Sequence, residues 1–338
     1  MIEVRYHDSV NALRELCHPV ERDDARSPFE RPDWFALIEN TGVKPFIAVA
    51  RDANGSFAAL ALTNTGGHIH ALRNWYSFTW RGNASAADGG EACLRGIAQG
   101  LRSNGHRVSL EPVPNEEFSC DQLVAAFSGA GWEVFVEECD TNHFLDVGGR
   151  SFAQYWGDRP GQLRTTLKRK ANKVTVEIHQ KFDSNIWSKY ENIYSKSWKP
   201  EEDHPEMLRE FARAESEAGR LRLGIAYFEG EPIAAQFWTV ENGTAFIHKL
   251  AHLEAHKPLS AGTTLSAALF EHVIDADKVD FIDFGTGDEP YKADWMEASR
   301  ARYRIDCLDP RQPRAWPALV KRKLKRLVQP LANARSRS

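Results

Sequence analysis

Few cysteines, no long apolar run and little net charge characterise this chain, and each absence excludes a class of protein. Its 338 residues include five cysteines, an odd number with no pair in C-x-x-C spacing. That pattern argues against a disulfide framework and against a zinc site, so we expect a reducing compartment and no metal ion. No apolar run reaches the roughly 18 residues that a membrane-spanning helix needs.

The charge and the start of the sequence narrow the location and the partners. A net charge of −4 leaves the chain without the basic character of a nucleic-acid-binding protein, so we expect no nucleic acid partner. The first ten residues, MIEVRYHDSV, have no apolar stretch behind basic residues, and we expect no signal peptide. These features favour a cytoplasmic protein with enough apolar residues, 42%, for a large core.

The second half of the sequence follows the element order of the first. In each half a helical segment ends at a glycine, Gly42 or Gly219, and three strand-like runs joined by tight turns follow. A helix and a short strand come next, at 86–102 and 108–112 in the first half and at 261–276 and 279–284 in the second. This shared order of elements predicts a duplicated unit.

Each unit is predicted to be an antiparallel meander followed by a helical crossover to a parallel strand. We therefore predict an α/β protein with two tandem repeats, at 1–145 and 146–310, and a basic tail at 311–338. The length suits this division, because domains of about 150 residues are common.

One short segment of the second repeat has the character of an anion-binding turn. Residues 260–264, Ser-Ala-Gly-Thr-Thr, lie between a predicted strand and a predicted helix. Free backbone N–H groups and the positive end of the helix dipole would suit a phosphate there, and Lys257 would add a charge. The alternative is an ordinary serine-capped helix with a glycine for packing.

Two motifs resemble known families. Residues 257–262, Lys-Pro-Leu-Ser-Ala-Gly, are similar to the Q/R-x-x-G-x-G/A pyrophosphate loop of acyl-CoA-binding GNAT proteins, with lysine first and serine for the first glycine. Residues 281–295, FIDFGTGDEPYKADW, resemble the D-F-G-x-G-D-E-P-Y-K signature of the CelD-type acetyltransferase-like family of bacteria. That family also resembles the Fem peptidyltransferases, which consist of two GNAT repeats. The resemblance covers residues 151–303, and the first half matches only in outline.

The resemblance implies two GNAT-like repeats, each a mixed, mostly antiparallel sheet flanked by helices. The second repeat would bind acyl-CoA as co-substrate, through Lys257, Ser260, Ala261, Gly262, Thr263 and Thr264. The first repeat lacks a comparable loop, because its counterpart GNASAADGGEACL has no basic residue near the glycines. We expect that repeat to be degenerate and to brace the second.

In a GNAT site the acceptor amine attacks the thioester directly. A free alkyl amine, with a pKa of about 10, is mostly protonated at neutral pH, so a base or a water chain is needed. Asp283 and His248 are the candidate bases, with Asp288 and Glu289 in the following loop as second choices. Tyr291 is the candidate acid for the leaving thiolate. Lys292 is a candidate for binding an acidic acceptor or a CoA phosphate. Asp283 could instead cap the following G-T-G turn. Tyr291 could be a core residue, and Lys292 could be a solvated surface residue.

These expectations describe an acyl-CoA-dependent N-acyltransferase that acts on an amine. The resemblance points to envelope chemistry, with a long-chain amino lipid, as in ceramide formation, or an amino sugar or polysaccharide unit as the acceptor. A Fem-like aminoacyl transferase, which uses aminoacyl-tRNA, is the alternative among enzymes. A membrane-associated scaffold with two degenerate repeats is the alternative outside them.

The tail combines apolar and basic residues at helical spacing. The apolar residues are Trp316, Leu319, Val320, Leu324, Leu327 and Val328, and the basic ones between them are Lys321, Arg322, Lys323, Lys325 and Arg326. A helix over 315–328 with these two faces suits an anionic membrane surface and predicts peripheral attachment to the inner membrane. The alternative is a helix packed on the body of the protein with its charges in water.

Overall fold

The chain forms two compact units, each assembled from separate parts of the sequence. The computed structural model describes residues 2–16, 27–85, 88–116 and 119–324. Unit 1 consists of Met1–Ala25, Phe29–Asp140 and Ala301–Ser338, and unit 2 of Arg26–Pro28 and Thr141–Arg300.

Strands and helices alternate along both halves of the chain. The strands are β1 (Glu3–His7), β2 (Phe46–Arg51), β3 (Phe57–Thr65), β4 (His68–Ala71), β5 (Asn83–Ala84), β6 (Arg107–Pro114), β7 (Glu133–Asp146), β8 (Thr175–His179), β9 (Leu221–Phe228), β10 (Glu231–Glu241), β11 (Thr244–His252), β12 (Phe281–Thr286) and β13 (Ala298–Leu308). The α-helices are α1 (Asn11–Leu16), α2 (Pro32–Asn40), α3 (Asp88–Leu101), α4 (Ser119–Gly129), α5 (Phe152–Gly157), α6 (Gly161–Lys170), α7 (Ser184–Ser195), α8 (Pro205–Glu217) and α9 (Ala261–Glu271).

The sheet of unit 1 has the strand order β1-β2-β3-β4-β6-β13, and β5 pairs with β3. Neighbours are antiparallel except β4 and β6, which are parallel because the crossover through α3 returns the chain in the same direction. The helix before the meander, α2, starts with a proline in its first turn. It ends just before Gly42, whose φ of 93° only glycine adopts easily.

Unit 2 has the same plan, with the strand order β7-β12-β11-β10-β9-β8. Its parallel pair is β11 and β12, joined through α9, and the other pairs are antiparallel. The helix before this meander, α8, also starts at a proline and is followed by a glycine with positive φ, Gly219 at 74°. The predicted α/β architecture of two similar units is therefore confirmed.

Helices cover both faces of the unit 2 sheet. On one face α9 lies close to β9, because Gly224 has no side chain: a Cβ there would be 2.8 Å from Leu265 and 3.0 Å from Leu269. Both leucines are fully buried. On the other face the Trp187 ring of α7 meets the Phe237 ring of β10 edge-on, with centroids 5.3 Å apart. These contacts fix α9, and the loop before it, against the strands that carry the candidate site.

The two compact units differ from the predicted division at 145 and 310. The strand that follows the second repeat belongs to unit 1, because residues 301–308 of β13 pair with β6, Ile305 opposite Leu110. Conversely, residues 141–146 of β7 pair with β12 in unit 2, Leu145 opposite Ile282. Each unit therefore contains strand residues that the predicted division gave to the other repeat, because strand pairing decides the membership and element order does not reveal it.

The tail forms a helix over residues 316–324, and the predicted residues Lys325, Arg326, Leu327 and Val328 lie outside the described part of the chain. One side of this helix packs on unit 1. Its Leu319 joins a buried cluster: Phe135, Leu308, Ala315 and Leu319. Arg322 pairs with Glu137 at 2.7 Å and with Asp306 at 2.9 Å. The prediction that both faces of this helix meet a membrane is therefore wrong for Leu319 and Arg322, because these two residues contact unit 1.

Candidate active site

Two parallel strands of unit 2 separate partway along their length. Within the described chain, β11 and β12 pair only from Thr244↔Phe281 to Phe246↔Asp283. Beyond that point β11 continues to His252. Residues 247–252 therefore have backbone N–H and C=O groups on their β12 side that no described strand pairs with. We call the space between residues 247–252 and the end of β12 the strand gap; an extended ligand can hydrogen-bond along it.

The N-terminus of α9 lies beside the strand gap. A Cβ added to Gly262 would be 3.6 Å from Nδ1 of His252, at the end of β11. Ser260 has a left-handed backbone (φ 53°, ψ 39°), and its side chain does not cap the helix. In the described structure the N–H groups of Ala261, Gly262 and Thr263 make no hydrogen bond. The alternative of a serine-capped helix is thus wrong, and three free N–H groups at a helix N-terminus suit an anion.

Three further residues surround this N-terminus. Lys170, the last residue of α6, donates a hydrogen bond to the Ser260 hydroxyl at 3.0 Å. Thr264 is buried, and its N–H donates to the Ser260 carbonyl at 3.1 Å, which starts the helix. Lys257 is largely exposed and lies 3.5 Å from Glu254. The loop therefore has one cation held against it from α6 and a second, largely exposed cation beside it.

His248, one of the two candidate bases, lies in an aromatic core. It is the extra residue of a β-bulge, since Phe237 faces Lys249 and the next residue of β10 faces Ile247. Its ring stacks on Phe237 with centroids 4.9 Å apart, and its Nε2 is 2.8 Å from the hydroxyl of Thr239, which is fully buried. This environment gives the imidazole packing partners and a hydrogen bond, and favours a structural role.

Asp283, the other candidate base, is buried in a closed hydrogen-bond network. Its Oδ1 accepts from the Asn142 side chain at 2.7 Å and from the Gly285 N–H at 2.8 Å. Its Oδ2 accepts from Arg300 at 2.9 Å. The bond to Gly285 is the turn cap that the sequence left open as an alternative. A carboxylate with both oxygens engaged in this way is badly placed to take a proton from an amine.

Tyr291 and Lys292 follow β12 and have different environments. The Tyr291 ring meets Phe284 edge-on, and the side chain stays partly exposed. Burial, and then the charge of Glu289, raises the pKa of Tyr291 above its usual value. Lys292 is buried: its ammonium donates to the Thr286 carbonyl at 2.5 Å and pairs with Glu289 at 3.0 Å. Lys292 therefore holds the turn after β12 and is not solvated.

Sequence reasoning missed a second group of charged residues beside the strand gap. Lys249, directly after the bulge, pairs with Glu202 at 2.7 Å, and both side chains are nearly buried. Glu202 comes from the segment between α7 and α8, where Trp198 also packs on His252 with ring centroids 4.3 Å apart. The two partners are 47 positions apart, so no local pattern could have paired them.

The polar residues of the described chain form no group of three His, Cys, Asp or Glu side chains arranged to bind a metal ion.

Among its described helices, none is long and apolar enough to cross a membrane.

The part of the chain that contains this site is similar in sequence to a known protein family. Residues 147–293 match the sequence model of the acetyltransferase (GNAT) domain family, a range that includes the strand gap and the N-terminus of α9. A search of curated proteins finds no match to the chain.

Several solved structures have a similar fold at low sequence identity. FemX has 9% identity and a TM-score of 0.62, over 90% of this chain and 96% of its own. The C-terminal domain of a protein assigned as a lysylphosphatidylglycerol synthetase from Agrobacterium fabrum has 13% identity and a TM-score of 0.57, over 86% of this chain and 91% of its own. A tandem GNAT protein from the clavulanic acid biosynthesis pathway has 12% identity and a TM-score of 0.50, over 90% and 98%. The chain therefore has the fold of tandem GNAT proteins, and its residues 147–293 match the acetyltransferase (GNAT) domain.

Proposed function

We propose that unit 2 transfers an acyl group from a CoA thioester to an amine. The observation that carries this proposal is the position of the strand gap beside the uncapped N-terminus of α9, within the residues that match a GNAT acetyltransferase domain. The gap offers backbone groups to an extended ligand, and the helix end offers three N–H groups to its phosphates. A CoA thioester is long enough to use both and carries its reactive carbon at one end.

The donor would be bound along the gap, with its pyrophosphate at Ser260, Ala261, Gly262, Thr263 and Thr264. Lys170 and Lys257 would add charge to that end. In the reaction the amine nitrogen forms a bond to the thioester carbon, the carbon–sulfur bond breaks, and the thiolate takes a proton to leave as CoA. Tyr291 would supply that proton as the general acid, and its phenolate would then take a proton from water.

No side-chain base is included in this proposal. Asp283 and His248 are engaged in hydrogen bonds within the protein, and Lys292 holds a turn. The amine would therefore lose its proton to water in the gap, or bind as the small neutral fraction present near neutral pH.

The proposal also includes the class of amine that accepts the acyl group and the identity of the acyl donor. An amine of an envelope building block, a long-chain amino lipid or an amino sugar, fits the narrower CelD-type resemblance of residues 281–295. A Fem-like transfer from aminoacyl-tRNA is the competing donor hypothesis, and the free N–H groups beside the strand gap favour CoA. A scaffold without activity would have no use for them. The first repeat would be degenerate, as its sequence predicts.

Tyr291→Phe should lower kcat by about 100-fold and leave CoA affinity unchanged, because only the acid for the thiolate is removed. Thiol release from acetyl-CoA and a long-chain acyl-CoA is measured with a panel of amino acids, amino sugars and a long-chain amino alcohol. Tyr227→Phe is the control, since that hydroxyl contacts Lys189 on another part of unit 2. Equal kcat values for the wild type and Tyr291→Phe would remove Tyr291 from the mechanism.

We also propose that the exposed side of the tail helix binds an anionic membrane surface. Trp316, Val320 and Leu324 are 55%, 58% and 56% exposed and recur every four residues, so they form one apolar stripe. Lys321 and Lys323 are exposed beside it. The sequence beyond residue 324 adds four basic residues and no acidic one. An apolar stripe between cations is the pattern of helices that lie at a lipid surface.

Co-sedimentation with phosphatidylcholine vesicles, with and without phosphatidylglycerol, tests this attachment. The wild type should sediment only with the anionic vesicles, and added salt should release it, because each basic residue near the surface contributes about 1 kcal/mol. Trp316→Ser combined with Leu324→Ser should weaken binding by about tenfold or more. Trp75→Ser, which removes another highly exposed tryptophan, should not. Equal losses in both variants would contradict a specific role for the tail.

A further inference from the structure

Lys199 lies close to the strand gap, because the neighbouring Trp198 packs on His252 at the end of β11 with ring centroids 4.3 Å apart. Lys199 lies in the segment between α7 and α8 and is half-buried. Its ammonium is 5.4 Å from the Trp198 ring centroid, and it makes no hydrogen bond or ion pair with any described residue. Burial lowers the pKa of Lys199, and Glu289 is the largest of the charges that oppose this effect. A half-buried cation without a counter-ion is costly for the free protein.

Two other lysines of this region are paired with glutamates, whereas the ammonium of Lys199 is paired with none of the described carboxylates. Lys249 pairs with Glu202 at 2.7 Å, and Lys292 pairs with Glu289 at 3.0 Å. The charges of all four groups act on the ammonium of Lys199. Each glutamate already has a lysine at hydrogen-bonding distance, so the cluster of three lysines and two glutamates has one positive charge in excess.

The five residues of this cluster lie on three elements that border the strand gap. Lys249 is on β11, Glu202 and Lys199 are on the segment before α8, and Glu289 and Lys292 are on the turn after β12. The excess charge therefore lies where β11 and β12 have separated. The free N–H groups of α9, which the proposed function gives to the donor phosphates, form a separate anion site.

We propose that Lys199 binds an anionic group, a carboxylate or a phosphate, of the acceptor amine. This inference rests on the proposed function and narrows its acceptor to amines that also carry a negative charge, such as amino acids, amino sugar phosphates or phosphorylated amino lipids. A charge-assisted hydrogen bond to such a group would compensate the excess charge, and lysine suits it as a compact point charge.

Direct binding of inorganic phosphate tests the charge at this position. Calorimetric titration is done with protein saturated with CoA, so that the N-terminus of α9 is filled. Lys199→Met should weaken phosphate binding at least tenfold, and the protein should stay folded because no bond is lost. Lys196→Met removes an exposed lysine of the same segment and should bind phosphate like the wild type. Equal binding by the wild type and Lys199→Met would overturn the inference.

Activity with pairs of amines, one with an anionic group and one without, shows whether Lys199 binds the acceptor or the donor. Ethanolamine is compared with phosphoethanolamine, glucosamine with glucosamine 6-phosphate, and glycinamide with glycine. Lys199→Met should lower kcat/KM at least tenfold for a charged member and leave its neutral partner and CoA affinity unchanged. A loss that falls on CoA affinity, or equally on both members of a pair, would overturn the assignment to the acceptor.

The same phosphate titration in the Gly262→Glu background distinguishes a failure of the proposed function from a failure of the anion site at Lys199. That substitution blocks the N-terminus of α9, so any remaining phosphate binding does not depend on the donor site. If CoA fails to bind the wild type but phosphate binding in this background still depends on Lys199, the proposed function fails and the anion site stands. If CoA binds and phosphate binding is independent of Lys199, the proposed function stands and the anion site fails.

Discussion

Gly262→Glu is expected to abolish CoA binding without unfolding the protein. The position has room for a side chain, since the nearest atom to an added Cβ is 3.6 Å away at ordinary contact distance. A glutamate in the first turn of α9 interacts favourably with the helix dipole, which protects folding. Its carboxylate would, however, occupy the free N–H groups and repel a phosphate. We expect the Kd for CoA to rise by about 100-fold or more, about 2.8 kcal/mol.

Gly262→Gln is the matched control, because it adds a side chain of the same size without charge. Calorimetric titration with CoA should give it a Kd much nearer to that of the wild type than to that of Gly262→Glu. If the two variants lose affinity equally, the effect is steric and the electrostatic account of the loop is wrong. If neither loses affinity, CoA is not bound at the N-terminus of α9.

Asp283→Ala is expected to cost stability, by about 3 kcal/mol, and not to act as the loss of a catalytic base. The carboxylate accepts hydrogen bonds from Asn142, Gly285 and Arg300, and the aspartate is 5% exposed. Its removal leaves a cation and two N–H donors without their shared acceptor, and breaking a buried charge pair from one side costs several kcal/mol. We use the lower end of that range, because the Arg300 side chain is about one-third exposed.

Urea unfolding measures this change, with Asp288→Ala as the control. Asp288 is 77% exposed in its side chain and, among the described residues, pairs with His143 alone at 2.9 Å, so its removal should change stability by less than about 0.5 kcal/mol. If Asp283→Ala instead keeps the stability of the wild type and loses its activity, the turn-capping role is refuted and Asp283 returns as the base.

The repeat could be predicted from the sequence because its signals are local. Gly42 and Gly219 end equivalent helices, and both have the positive φ that a helix C-terminus requires. The tight turns of the two meanders likewise contain glycines with positive φ, among them Gly55 and Gly230. Helix α9 was predicted to begin at Ala261, and it does. Local backbone chemistry decides such features, so one sequence suffices.

The roles of the site residues could not be predicted, because they depend on partners far away in sequence. Asp283 is held by Asn142, 141 positions earlier, and Lys249 by Glu202, 47 positions earlier. His248 points into an aromatic core through a β-bulge, which shifts the alternation of inward and outward residues that sequence analysis relies on. A polar residue on a strand near a glycine-rich turn therefore looks the same whether it is catalytic or structural.

The pairing of the last strand is another feature beyond local sequence. Residues 301–308 follow the second repeat but pair with β6 in unit 1. The alternation of apolar and polar residues along this strand would fit either sheet. The sheet that it joins is decided by which sheet has an unpaired edge strand beside it. Sequence analysis could identify the strand but could not say which unit it completes.

The most direct test of the account is the thermal unfolding of the wild type in the presence of CoA, acetyl-CoA, a long-chain acyl-CoA and aminoacyl-tRNA. A ligand of the folded state at 100 times its Kd should stabilise the protein by about 2.7 kcal/mol. We predict that the CoA species do so and that aminoacyl-tRNA does not, and the acyl chain with the largest effect identifies the donor. Stabilisation by aminoacyl-tRNA alone, or by none of the four, would contradict the assignment of unit 2 as a CoA-dependent acyltransferase.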